Sequence, residues 1–244
     1  MSSLPNPATS SWKRLVLFDI DGTLLWGGAL WKECFLGALD HYYPGLEFPR
    51  VPFGGKTDIQ ICRELMEKAR FSEDEIHRGI QRVVDLYVAR AQEAALHRSH
   101  EVTVLPGVTD VLERLARHPE ILLGLLTGNV RHGAELKLST VGLQDYFKVG
   151  VYCDDHPDRY EMPAIAVDRV HQQFGRRFSG KEIVIIGDTI HDVNCGKSIG
   201  VRSIAVGTGH GVPLEDLLAQ EPDYYFRDLS ATHEVLSAIL EEIP

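Results

Sequence analysis

Residues 17–23, LFDIDGT, set two carboxylates, Asp19 and Asp21, two positions apart where an apolar run meets Gly22. Two other apolar runs end in the same way: Thr127 and Asn129 close the run that starts at residue 121, and Asp188 and Asp192 follow the run that starts at 182. If these runs are neighbouring strands, one crevice collects the four carboxylates and a hydroxyl. At an effective dielectric near ~20, two carboxylates ~4 Å apart repel by about 4 kcal/mol, a large share of a domain's net stability. A cation must sit among them, or a proton must be shared. Oxygen donors with few His or Cys nearby point to Mg²⁺, which takes one or two carboxylates, keeps some water and bridges to a substrate phosphate.

The elements that must position these residues are legible as patterns. Runs at 14–22, 121–129, 182–188 and 201–209 are apolar almost throughout rather than alternating. That is how a strand covered on both faces looks, so they predict a parallel sheet between helices. Weaker strand candidates lie at 146–155 and 222–228, and helical patterns at 107–117, 131–142 and 162–175, the last with Pro163 near its start and Gly175 past its end. The alternation predicts an α/β fold with a doubly wound parallel sheet. Residues 25–100 break it, with no comparable strand but amphipathic stretches at 31–43, 57–69 and 72–98. The expected organisation is therefore a loose tail at 1–12, a core from 13–24 and 101–244, and an inserted α-helical lobe at 25–100.

In this order, FDIDGTL, LLTGN and GDTIHD resemble the first, second and fourth motifs of the haloacid dehalogenase superfamily, over Val16 to about Gly209. The pattern is most similar to its phosphoglycolate phosphatase-like and β-phosphoglucomutase-like branch. The resemblance implies a Rossmann-like core with a helical cap, and a Mg²⁺-dependent phosphatase acting on a small phosphorylated metabolite. It implies that Asp19 attacks phosphorus to form an aspartyl-phosphate, and that Asp21 is the general acid and later the base. Like charge and partial burial would raise the Asp21 pKa to suit that role. Mg²⁺ would be held by the Asp19 carboxylate, the Asp21 backbone carbonyl and Asp188, with Asp192 a direct or water-mediated ligand. Thr127 would bind phosphoryl oxygens, helped by the N–H groups of Gly128 and Asn129 at a helix start; for Thr127 alone, a plain helix N-cap is the alternative.

The family's third motif is a basic residue, usually Lys, yet residues 154–169 contain no lysine. Arg159 is the nearest cation ahead of the Pro163 helix and takes that role, unless it is a surface arginine. The inserted lobe corresponds to the cap that closes over the site. Within it FGGKTDIQI (53–61) resembles the cap's specificity loop, with Lys56 at its mouth as a substrate contact or a solvated charge. Trp26, Gly27 and Gly28 belong to the flap after the first strand.

Composition excludes other classes. A formal charge of -10 with no dense Lys/Arg cluster argues against nucleic-acid partners. Four cysteines with no Cys-x-x-Cys pair fit a reducing cytoplasm and buried thiols, and no apolar run approaches the ~20 residues of a membrane span. CGKS at 195–198 lacks the Gly that a Walker loop needs at 191, where His stands. GTGHG at 207–211 reads as a loop, and His97 with His100 as solvated surface. A sugar phosphomutase of the same superfamily uses the same core residues, and a non-catalytic binding module would explain the missing lysine. Oligomeric state is not encoded in any of these patterns.

Overall fold

The computed structural model describes residues 11–241. In chain order the elements are β1 (Arg14–Phe18), β2 (Leu25–Trp26), α1 (Leu30–Tyr42), α2 (Asp58–Lys68), α3 (Glu73–Arg98), β3 (Thr103–Val104), α4 (Val108–Arg117), β4 (Ile121–Leu126) and α5 (Arg131–Thr140). They continue as β5 (Val149–Val151), α6 (Met162–Phe174), β6 (Ile183–Gly187), α7 (Ile190–Cys195), β7 (Arg202–Val206), α8 (Leu214–Leu218), β8 (Tyr224–Phe226) and α9 (Thr232–Leu240). Six strands form a parallel sheet in the order β5-β4-β1-β6-β7-β8. All six predicted strands are present, including the two weaker ones, and the fold is the doubly wound α/β arrangement that the patterns predict.

Alternate strand residues feed two separate cores. Val16, Phe18, Leu123, Leu125, Val184 and Ile186 face one side, where α4, α9 and the helices of the inserted segment pack. Leu15, Leu17, Leu122, Leu126, Ile183 and Ile185 face the other, against α6. Burial on both faces explains why these strands are apolar without alternation.

Local chemistry sets the helix ends. In α2, Thr57 Oγ1 accepts from the Gln60 N–H (3.1 Å) while Gln60 Oε1 accepts from the Thr57 N–H (3.1 Å), a reciprocal cap. Pro163 sits in the first turn of α6, and Gly175 ends it at φ +71°. Helices α1 and α2 pack on α3, burying Leu30, Phe35 and Leu39 of α1 with Val83, Tyr87 and Ala91 of α3.

Two differences from the sequence-based expectation concern the ends of the helical segment expected at 25–100 and the tail expected at 1–12. Leu25–Trp26 pairs antiparallel with Thr103–Val104, so a two-residue strand marks each end of the helical segment; runs that short carry no periodicity. The expected tail lies outside the described residues up to residue 10, and its last residue, Trp12, is buried edge-on against Phe174 with centroids 5.2 Å apart. The four cysteines are buried and free. Among the described residues no helix is long and apolar enough to cross a membrane.

Candidate active site

Register builds the site. Phe18 of β1 lies opposite Leu125 of β4 and Ile186 of β6. The polar residues that follow, Asp19, Thr127 and Asp188, therefore leave the carboxyl ends of three adjacent strands together. Ligands bind at that edge of an open α/β sheet, where the chain runs to opposite sides. The residues line one cavity of about 560 Å³, roofed by α1, α2, α3 and the segment between α1 and α2.

Asp19, Asp188 and Asp192 are buried, with one carboxylate oxygen from each lying within 4.8 Å of the others. Burial pushes Asp19 up to about 6 against the pull of Arg159, with Asp192 and Asp21 adding to the rise. Burial, then Asp192 and Asp19, hold Asp188 well above the usual carboxylate range. Buried carboxylates that resist ionisation in this way are short of positive charge. Their hard oxygen donors fit a divalent cation such as Mg²⁺. Asp188 Oδ1 accepts from Thr23 Oγ1 (2.9 Å). Asp192 has both oxygens engaged: Oδ1 with Arg159, and Oδ2 with the Thr189 N–H (2.9 Å) and hydroxyl (2.6 Å). A metal held here would therefore find free oxygens on Asp19 and Asp188, with Asp192 reaching it through water or orienting its neighbours.

Arg159 is not a surface arginine. It is 2 % exposed, and its Nη2 lies 3.2 Å from Asp19 Oδ1, also touches Asp192, and donates to the Leu126 carbonyl (3.2 Å). The cation sought in the lysine-free segment thus stands beside the carboxylate it would neutralise.

Asp21 has surroundings that like-charge reasoning did not anticipate. Its Oδ2 accepts from Lys137 Nζ (2.6 Å) and from Asn129 Nδ2 (2.8 Å), and Lys137 also donates to Asn129 Oδ1 (2.6 Å). Asp21 therefore faces an ammonium as well as its acidic neighbours, and its Oδ1 is left for whatever enters the cavity. Lys137 is buried on α5 and was missed by motif matching. The signal was a lysine on the helix's buried stripe with Gly133, Ala134 and Leu138, where a charge requires a partner.

Thr127 is fully buried, and its Oγ1 accepts from Asn129 Nδ2 (2.8 Å). It is not a helix N-cap. Helix α5 starts at Arg131 with Val130 as its N-cap, so Gly128 and Asn129 lie ahead of the helix start rather than on it. The Val130 N–H is instead satisfied by Asp58 Oδ2 (2.9 Å), a carboxylate reaching across from α2. Next to it the Asp58 N–H donates to the Gly128 carbonyl (2.8 Å), and Thr57 Oγ1 donates to the Pro157 carbonyl (2.8 Å). Gly128 is required here, since a Cβ would stand 2.3 Å from the Lys56 carbonyl. Lys56 lines the cavity with its ammonium paired to Glu64. Of the flap, Trp26, Gly27 and Gly28 all line the cavity. The GTGHG loop is a loop, but the His210 ring packs tilted at 49° against Trp26 (centroids 4.0 Å) in the cavity wall.

The arrangement offers a buried carboxylate, a second carboxylate with a free oxygen, a cation beside each, and a hydroxyl next to them. Residues 16–206 match the haloacid dehalogenase-like hydrolase family, and the chain belongs to it. Among its relatives is the pyrophosphatase PpaX of Bacillus velezensis, 30% identical over 88% of this chain and 92% of that protein. The phosphoglycolate phosphatase of Pseudomonas putida is 27% identical over 89% of this chain and 78% of that protein. A solved hydrolase from Pseudomonas syringae shares the fold at a TM-score of 0.69 and 19% identity, covering 92% of this chain and 97% of that one.

Proposed function

We propose that the chain is a Mg²⁺-dependent phosphatase that hydrolyses a small phosphorylated metabolite through an aspartyl-phosphate on Asp19. The observation that carries this is the pairing of unequal carboxylates: Asp19 is buried against Arg159, and Asp21 is held by Lys137 and Asn129 through one oxygen only. A carboxylate nucleophile splits one difficult displacement into two easier ones.

In the first step an Asp19 oxygen bonds to phosphorus as the ester P–O bond breaks, and the leaving oxygen takes a proton from Asp21. In the second, Asp21 takes a proton from water as that water bonds to phosphorus, freeing inorganic phosphate and restoring Asp19. Arg159 neutralises charge on the nucleophile and the phosphoryl group, and the Thr127 hydroxyl donates to a phosphoryl oxygen. Asp19, the Asp21 carbonyl and Asp188 would hold Mg²⁺, with Asp192 behind them; the ion supplies charge stabilisation to the transferring phosphoryl group. The inserted helices act as the cap that excludes water during the first step.

The test is phosphate release from a panel of monoesters with and without Mg²⁺, with products checked for isomerised sugar phosphate. Asp19→Asn should lower kcat by at least about 10³-fold while leaving the fold intact by circular dichroism. Substantial turnover by that variant would overturn the covalent route. Isomer formation without phosphate release would replace the phosphatase by a mutase.

A further inference from the structure

Aromatic rings line the cavity that holds these carboxylates. Phe53 packs edge-on to Phe35 (5.6 Å, 76°), and Phe35 meets Tyr87 (5.2 Å, 59°), a continuous aromatic surface from the α1–α2 segment through α1 to α3. Trp31 and Trp26 line the same cavity. The Trp31 Nε1 is buried without a hydrogen-bond partner. Gly27 makes room for that indole, since a Cβ there would fall 2.1 Å from Nε1.

Most of the cations that line the cavity already have carboxylate partners. Asp19, Asp21, Asp58 and Asp188 face Lys32, Lys56, Lys137 and Arg159. Three of those four cations are committed: Arg159 to Asp19 and Asp192, Lys137 to Asp21, and Lys56 to Glu64. Only Lys32, exposed and lying 5.1 Å over the Phe53 ring, is free of a carboxylate partner among these lining cations. A leaving group carrying its own negative charge, such as phosphate or a short carboxylate, would meet aromatic faces and the Asp58 carboxylate with one exposed ammonium to balance it. Desolvating an anion against such a wall is costly, whereas a flat apolar body is attracted to it.

Resting on the phosphatase reading above, we infer that the preferred substrate is a phosphate monoester of an uncharged alcohol carrying an aromatic or similarly flat apolar body. Inorganic pyrophosphate and phosphoglycolate, whose leaving groups are anionic, are poor substrates by comparison.

The experiment compares the full-length protein on 2-phenylethyl phosphate and ethyl phosphate, whose alcohols leave with similar ease, and on pyrophosphate and phosphoglycolate, all with Mg²⁺. A pocket that accepts the ring should favour 2-phenylethyl over ethyl phosphate by about tenfold or more in kcat/KM, and over both anionic substrates. Phe53→Ala should reduce the phenylethyl-to-ethyl ratio at least threefold (an order-of-magnitude expectation). A ratio near one, or preference for either anionic substrate, would overturn the inference while leaving the phosphatase standing. If no substrate releases phosphate, the phosphatase reading fails by itself. Calorimetric binding of the same four compounds to Asp19→Asn then decides the pocket's preference without turnover: tighter binding of the phenylethyl ester upholds it, and equal or reversed affinities refute it.

Discussion

Lys137 is the residue that most changes the account of this site. Two carboxylates two positions apart suggest mutual repulsion, and the structure answers it with a separate cation for each: Arg159 beside Asp19 and Lys137 beside Asp21. Lys137 also grips Asn129, which in turn holds Asp21 and Thr127, so one ammonium orients three polar side chains. If Asp21 is the proposed general acid, the loss of Lys137 should be felt most where the leaving group needs a proton. Lys137→Met should lower kcat/KM for ethyl phosphate by about 10–100-fold, within the range of general acid–base effects. The loss should be smaller for p-nitrophenyl phosphate, whose nitrophenolate departs without protonation. Equal losses on both esters would show that Lys137 serves phosphate binding and not the orientation of Asp21.

At the scale of elements, the ends of strands and the turns after them carry the chemistry. Gly22 turns the chain after β1 at φ +85°, and a Cβ there would lie 2.5 Å from Asp188 Oδ2. Gly22→Ala combines left-handed strain with a collision against a proposed metal ligand. It should destabilise the protein by at least about 1 kcal/mol in urea unfolding and raise the Mg²⁺ concentration needed for half-maximal activity. Stability unchanged from wild type would show that the turn relaxes freely. The strands that bear these turns were legible because burial on both faces leaves an unbroken apolar run, and Asp19, Thr127 and Asp188 because a polar residue ends each run. Arg159 was legible only through the resemblance, since a cation beside a Pro-started helix has no pattern of its own. Lys137 and Asp58 were missed for a different reason. Each meets its partner across elements, Lys137 by 116 residues and Asp58 by 72, and pairing at that distance has no local period to detect.

For the whole molecule, the question is what holds the α1–α3 layer against the sheet edge. At the foot of α2, Asp58 is buried with its carboxylate on the Val130 N–H, while its own N–H and the Thr57 hydroxyl bind carbonyls of the loops after β4 and β5. Burial pushes Asp58 up to about 6, opposed by Lys137 and by the Val130 N–H, from an ordinary value of 3.8. Between those values the folded chain keeps a proton that the unfolded chain has lost. The contribution to stability is complete below the unfolded value and is lost as pH rises through about 6. At 1.36 kcal/mol per unit the loss is about 3 kcal/mol at most. Asp58→Asn keeps an oxygen for Val130 and removes the ionisation. The melting temperature of this variant relative to wild type should therefore be higher at pH 8 than at pH 4 by several degrees, at about 2–4 °C per kcal/mol for a chain of this size. Comparing variant with wild type cancels the other buried carboxylates, Asp19 and Asp188. A difference that stays constant with pH would mean that Asp58 ionises as easily in the folded chain as in the unfolded one.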